Sequence, residues 1–424
     1  MPPTFAQLGV PESICAALAR RGIERPFEIQ AATIADALAG RDVRGRAPTG
    51  SGKTLAFGIP LVANVRRADP RRPRGLVLSP TRELAEQLAA ELRSFAGAVR
   101  VGVVYGGVDV RTQTRTLRRG VDILVACPGR LEDLIGQGSV SLRDVDMVVV
   151  DEADRMADMG FLPSVTRLLD QTDPSRQTLL FSATLDGDVA ELTRRYQHDP
   201  VTHEIGQTTP DITMADHRFW TVDAKERIET AARVITAAGP SIVFCRTRHG
   251  SDRVARQLTQ RGISAAAFHG GHAQNRRTRA LAGFANGSIR ALVATDVAAR
   301  GIHVDGVAAV IHYDPANDHK TYVHRSGRTA RAGSSGLVVS LIQAGQLADT
   351  KRIQRELGLG HPITGPDVQT IASGIAPSSP RSGARSSARP RTAPSTKHRR
   401  RRKRSGGFGR AEVGTARSQR GRVG

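Results

Sequence analysis

Three cysteines in 424 residues, Cys15, Cys127 and Cys245, are too few and too scattered for a disulfide framework, and their number is odd. No Cys-x-x-Cys pair or histidine cluster supports a metal site, and a reducing cytoplasm is the natural compartment. No run approaches the roughly 18 apolar residues of a membrane span. The N-terminus lacks a basic start followed by an apolar core, so no signal peptide is expected. Aromatics make up 4 % of the chain, with Trp220 the single Trp, so the 39 % apolar fraction must build largely aliphatic cores. Length suggests two or three domains.

Acids are also short: 40 Asp and Glu stand against 62 Lys and Arg, a formal net charge of +22. The excess is uneven. From Pro377 to Gly424, fifteen Lys or Arg face one acid, Glu412, so this segment carries +14 and the rest +8. A basic tail on a mildly basic body points to a polyanionic partner, most simply nucleic acid. An anionic membrane fits less well, because the tail has no amphipathic apolar face. No membrane partner is expected.

What is present centres on Met147-Val148-Val149-Val150-Asp151-Glu152-Ala153-Asp154. Four apolar residues in a row read as a strand buried on both faces of a parallel sheet. The run ends in two adjacent carboxylates, at the strand end where open α/β sheets carry their chemistry. An acidic turn alone is common. The upstream stretch Ala47-Pro48-Thr49-Gly50-Ser51-Gly52-Lys53-Thr54 gives it a partner. A strand-like segment precedes this stretch and an apolar helical pattern follows, the setting of a phosphate-binding loop. Backbone N–H groups and the helix dipole would hold phosphate. Lys53 would reach the β and γ phosphates, and Thr54 and Asp151 would hold Mg²⁺. Ala47 stands where the usual pattern has its first Gly. A Mg-nucleotide triphosphatase is expected, with ATP and Mg²⁺ as cofactors. Gln30 carries a donor and an acceptor on one carboxamide, which is what reading an adenine edge requires.

The strand, polar turn, helix unit recurs along the chain. Strand-like runs end at Pro80-Thr81-Arg82, at Gly106-Gly107, at Cys127-Pro128-Gly129-Arg130, at Asp151 and at Ser182-Ala183-Thr184. A second series starts at Ser241 and contains Gln274 to Phe284 as a helix and Ala291 to Asp296 as a strand with a polar end. The fold class is α/β, with two parallel-sheet domains in tandem and working loops on one edge of each sheet. The expected division is residues 1–207 as an ATP-binding domain, 208–215 as linker, 216–365 as a second domain without a phosphate loop, and 366–424 as a disordered basic tail.

These motifs, in this order, resemble the DEAD-box ATP-dependent RNA helicases, over about Phe5 to Leu357. Asp151-Glu152-Ala153-Asp154 matches the motif that names the family, and the Gln30 segment its adenine-sensing element. Thr295-Asp296-Val297-Ala298-Ala299-Arg300-Gly301 and His324-Arg325-Ser326-Gly327-Arg328-Thr329-Ala330-Arg331 match its last two motifs. The resemblance implies two RecA-like domains and an RNA-stimulated ATPase that unwinds short RNA duplexes or remodels RNA–protein complexes.

Residue by residue, the resemblance assigns ATP to Phe5, Gln30, Thr49, Gly50, Ser51, Gly52, Lys53, Thr54 and Asp296. It assigns activation of the attacking water to Glu152, Mg²⁺ to Asp151, and the role of arginine fingers to Arg328 and Arg331. RNA backbone contacts fall to Pro80, Thr81, Arg82, Gly106, Gly107, Pro128, Gly129, Arg130, Gln274, Arg277 and Thr295, residue types suited to phosphate and 2′-hydroxyl groups and not to bases. Coupling of hydrolysis to unwinding falls to Asp154, Ser182, Thr184 and His324.

Three positions depart from the family pattern. Ile23 stands where an aromatic often stacks on adenine, Cys127 where Thr is commoner, and His303 where an Asp contacts ribose. Ribosome assembly, mRNA turnover and cold adaptation are all roles of basic-tailed bacterial relatives, and for this chain the expectation is a cytoplasmic monomer with ribosomal or mRNA-turnover ribonucleoproteins as partners. The tail would tether RNA without sequence preference. Two other readings remain at this point: an ATP-switched RNA chaperone that anneals or clamps strands, and a DNA helicase, against which Gln30 argues.

Overall fold

The computed structural model describes residues 3–48, 50–206, 212, 214–299, 304, 306–330 and 336–374. Among the described residues there are two seven-stranded sheets, both parallel throughout. The first contains β1 (Val43–Arg46), β2 (Gly75–Leu78), β3 (Val101–Val104), β4 (Ile123–Ala126), β5 (Met147–Asp151), β6 (Gln177–Ser182) and β7 (Val201–Glu204). The second contains β8 (Ala215–Thr221), β9 (Ser241–Phe244), β10 (Ala265–Phe268), β11 (Ala291–Ala294), β12 (Ala309–His312), β13 (Gly336–Ile342) and β14 (Ile363–Thr364).

The spatial orders are β3-β4-β2-β5-β6-β1-β7 and β10-β11-β9-β12-β13-β8-β14, so the two sheets share one topology strand for strand. The central strands β2, β4, β5, β9, β11, β12 and β13 are buried along their whole length. Their unbroken Val, Ile, Leu and Ala content follows from helices covering both faces of the sheet. On one face of the first sheet, Ile29, Ile34, Phe57 and Leu88 pack from helices Glu28–Leu38, Lys53–Asn64 and Arg82–Phe95. On the other, Leu131, Leu134, Val165 and Leu192 come from helices Pro128–Gly136, Leu162–Leu169 and Asp188–Tyr196. The lone Trp220, 1 % exposed, belongs to the second domain's core.

Three strands escape the sequence pattern. β7 alternates half-buried and exposed residues and sits at a sheet edge, β8 is also broken by exposed residues, and β14 has two residues. A search for continuous apolar runs passes over all three. The second domain also continues past Gly365, where the sequence pattern dissolves and the tail is expected to begin. Helix Gln369–Gly374 follows, and Val368 and Ile371 are buried in the second core, so two well-placed apolar residues extend the fold into the segment assigned to the tail. The rest of that basic tail lies outside the described residues.

Candidate functional site

The parallel arrangement puts the C-terminal ends of β1, β2, β5 and β6 side by side. The loop after β1 turns into helix Lys53–Asn64 through Gly50 and Gly52, with φ of 88° and 87°. At Gly52 only glycine serves. The backbone is left-handed, and a Cβ there would stand 2.6 Å from Phe27 Cδ2 and collide with the Gln30 amide. Lys53 Nζ donates to Ala47 O at 2.7 Å and Pro48 O at 3.0 Å, which holds it across the loop mouth. Thr54 follows in the first helical turn, where N–H groups lack intrahelical partners. Ser51 Oγ is buried with no hydrogen-bond partner among the described residues. Thr49 lies outside the described residues.

Asp151 ends β5 and is 4 % exposed, and its Oδ1 is buried without a hydrogen-bond partner among the described residues. Burial, and then the neighbouring Glu152, push its carboxyl up to about 7, against the pull of Lys53. A divalent cation beside it would reverse that balance, so the orphaned oxygen and the donor set of Asp151 and Thr54 fit Mg²⁺. Glu152 is held in the left-handed region, φ 53° and ψ 51°, a strained conformation for a residue with a side chain. The turn aims its carboxylate at Arg155, and both side chains are about 10 % exposed. Asp154 is tied to β6 by its own N–H, which donates to Ser182 Oγ at 3.1 Å. This bond ties the acidic turn to the end of β6. Thr184 is half-buried two residues further on.

Gln30 is 2 % exposed, and its amide serves the chain first. Oε1 accepts from Phe27 N at 2.9 Å and Nε2 donates to Gly52 O at 2.9 Å. One N–H and one lone pair remain for a base. Phe5, expected at the nucleotide, is 3 % exposed and packs in the first core. Ile23 also packs against that core.

Three of the expected RNA loops meet on one edge. The Arg82 guanidinium lies against Gly107, whose φ of 82° and lack of Cβ leave room for it, and over Gly106. Arg130 Nη1 donates to Val108 O at 3.3 Å. Gly129 is exposed, whereas Pro128 is buried as the first residue of its helix. Pro80 is buried, and Thr81 Oγ accepts from Leu84 N at 3.3 Å as a helix cap. Cys127 makes no such cap, and burial pushes its thiol up to about 12.

In the second domain, Gln274 and Arg277 reach the first. Gln274 Nε2 donates to Glu83 Oε1 at 2.8 Å, and Arg277 Nη2 lies 2.8 Å from Glu83 Oε2, all three residues buried. Arg277 is further supported by the Phe268 ring at 4.8 Å. The loop ahead of Gln274 is clasped by Asp252, whose two oxygens meet His269 Nε2 at 3.0 Å and His272 Nε2 at 3.1 Å. Gly271 N donates to His269 Nδ1, which leaves the His269 proton on Nε2, facing Asp252. This is a hydrogen-bonded clasp between two histidines three residues apart on one loop and an aspartate of helix Arg248–Thr259.

Thr295 is 9 % exposed after β11. Asp296, expected at the nucleotide, commits both oxygens to Arg325, at 2.5 and 2.7 Å. Arg328 Nε donates to His324 O at 3.2 Å, and His324 is exposed. Arg331, Arg300, Gly301 and His303 lie outside the described residues.

Sequence reasoning missed Glu83, Arg155, Arg325 and Phe27. The first three sit inside or beside quoted motifs, and only their partners give them meaning. Phe27 carried a local signal, an aromatic at a helix start where Ser, Thr, Asp or Asn is preferred.

The sequence profile described as DEAD/DEAH box helicase matches residues 27–192, and that of the helicase conserved C-terminal domain matches 226–333. The chloroplastic DEAD-box ATP-dependent RNA helicase 3B of Zea mays is 40 % identical over 374 residues, 85 % of this chain and 50 % of the maize protein. The chain thus spans about half the length of that relative. ATP-dependent RNA helicase CshA of Limosilactobacillus reuteri is 39 % identical over 355 residues, 83 % of this chain and 71 % of the relative. Among solved structures, S. cerevisiae Dbp5 bound to RNA and ADP BeF3 superposes with a TM-score of 0.73 at 22 % identity, over 87 % of this chain and 99 % of that one. That likeness establishes the two-domain RecA-like fold.

Proposed function

Because the chain belongs to the DEAD-box family of ATP-dependent RNA helicases, we propose that it hydrolyses ATP while separating short RNA duplexes or remodelling RNA–protein complexes. The observation that carries the reading is Asp151, a buried carboxylate with an orphaned oxygen at the strand end beside the Lys53 loop. Such a group is stable as an anion only with a cation against it.

Lys53 exchanges its two carbonyl partners for β and γ phosphate oxygens, and Gly50, Ser51 and Gly52 supply backbone donors. Thr54 and Asp151 would hold Mg²⁺, which would supply charge neutralisation on the phosphates. Glu152, aimed by its strained turn and held by Arg155, orients the attacking water and takes its proton. Arg328 and Arg331 come from the second domain and stabilise charge spreading on the transferring phosphoryl group. Domain closure thereby gates chemistry. Arg82, Gly106, Gly107, Gly129, Arg130 and Thr295 bind the RNA backbone, so recognition is independent of sequence. Gln274 and Arg277 join this surface through Glu83, so an RNA strand laid along one domain is felt by the other. The basic tail adds phosphate contacts. Ribosomal or mRNA-turnover ribonucleoproteins are the proposed cellular targets, met by a cytoplasmic monomer.

The test is ATP turnover by the purified chain with single-stranded RNA, single-stranded DNA or neither, beside separation of a short RNA duplex. Stimulation by RNA alone, with ATP-dependent strand separation, is expected. Equal stimulation by DNA, or annealing that outruns separation with and without ATP, would overturn the assignment. Deleting residues 377–424 tests the tail. With about five of its basic side chains on phosphates, their removal flattens the plot of log K for single-stranded RNA against log[salt] by roughly 3.5.

A further inference from the structure

Phe27 is one of three large hydrophobic residues that stand exposed among those described, at 61 %. It occupies the N-cap of helix Glu28–Leu38 without making a side-chain cap, so helix chemistry does not account for it. Its position is defined on two sides. Its backbone N–H holds Gln30 Oε1, and its ring edge fills the space a Cβ would take at Gly52, the last glycine before Lys53. Gln30 is buried while the neighbouring ring is open to solvent, so Phe27 is the solvent-facing group beside the Gln30 amide. Ile23 packs against the first core and offers no aromatic face.

We infer that Phe27 is the stacking platform for the purine base of the bound nucleoside triphosphate, so that base affinity resides four residues along the chain from Ile23. A planar aromatic exposed beside a buried donor–acceptor amide is the arrangement that recognises a base: the ring supplies π-face contact and the amide reads an edge. The inference rests on the reading that residues 47–54 take ATP.

Binding by full-length protein separates base from phosphate recognition. Phe27→Ala is expected to weaken ATP binding roughly tenfold and to leave the affinity for inorganic tripolyphosphate unchanged. Phe27→Trp should retain ATP affinity, with indole emission that responds to ATP and not to tripolyphosphate. Equal losses for ATP and tripolyphosphate in Phe27→Ala would mean that the ring only props up the loop, and unchanged ATP affinity would sink the platform outright. If Phe27→Ala fails to fold, Phe27→Leu, which keeps bulk without a π face, takes its place with the same expected outcomes. RNA-stimulated turnover of the unmutated protein, measured in parallel, tests the enclosing helicase reading separately.

Discussion

The two domains repeat one sheet topology and use it oppositely. In the first, β1 leads through a glycine loop to Lys53, the opening residue of its helix, and β5 ends at Asp151. In the second, the corresponding β8 leads to Arg227, also the opening residue of its helix, and the corresponding β12 is followed by Asp314. There the basic and acidic residues meet directly. Arg227 Nη2 lies 2.9 Å from Asp314 Oδ1, also donates to Tyr313 O, and its guanidinium rests 4.2 Å from the Tyr313 ring centroid. One scaffold thus turns its Lys53 onto the carbonyls of its own loop beside a buried Asp151, and the other pairs its basic and acidic residues with each other. The difference is one of loop length and glycine content. Five residues, Val222 to Glu226, join β8 to its helix without a glycine, so no backbone cradle can form between the charges.

The largest effect that would sharpen this contrast is on turnover. Arg328→Ala should lower kcat by about 10³-fold or more, as arginine fingers do, while ATP affinity without RNA changes little. Loss of affinity with kcat intact would place nucleotide binding in the second domain and break the contrast. Next, Glu152→Gln keeps shape and loses basicity, and RNA-stimulated ATPase should fall by about 10²–10⁴-fold with RNA binding retained. Undiminished turnover would remove Glu152 from the chemistry.

The Arg227–Asp314 pair makes a stability prediction. Arg227→Ala leaves Asp314 without its partner and should cost the second domain about 3 kcal/mol, read as denaturant unfolding, with the ATP dissociation constant of the folded protein unchanged. Weaker ATP binding would show that the two sites are not independent.

The smallest effect concerns the acidic end of β5. Because Asp151 is raised to about 7 in the folded protein, it binds a proton more tightly folded than unfolded. Its contribution is present below the unfolded carboxylate range and is lost as pH rises through about 7. Asp151→Asn, measured without nucleotide, should therefore stabilise the first domain at pH 8 and have much less effect at pH 4. Equal changes at both pH values would show that Asp151 is not held neutral.

Much of this was legible in the chain. Val148-Val149-Val150 could be only a strand buried on both faces, and Gly50-Ser51-Gly52-Lys53 after a strand could hardly be other than an anion cradle. Less legible were residues whose backbone pattern is mixed. Val201–Glu204 alternates because it lies on an edge, and Val368 and Ile371 are isolated apolar residues in a polar stretch. Motif position assigns Phe5 and Asp296 to the nucleotide and says nothing of their neighbours, which place Phe5 in the first core and pair Asp296 with Arg325.

By itself, then, the sequence determined the two parallel sheets, the phosphate loop and the acidic strand end, because each depends on residues adjacent in the chain: continuous apolar runs, and glycines at fixed spacing from Lys53. Tertiary structure alone decided what those residues face. Gln274 donates to Glu83 from 191 positions away, Arg227 finds Asp314 from 87 away, and the Asp151 carboxyl is raised because the folded chain buries it and sets Glu152 beside it. Pairings of this kind are set by which loops the sheet order brings to one edge, and the charge of a buried group by what surrounds it, and neither is written in local spacing.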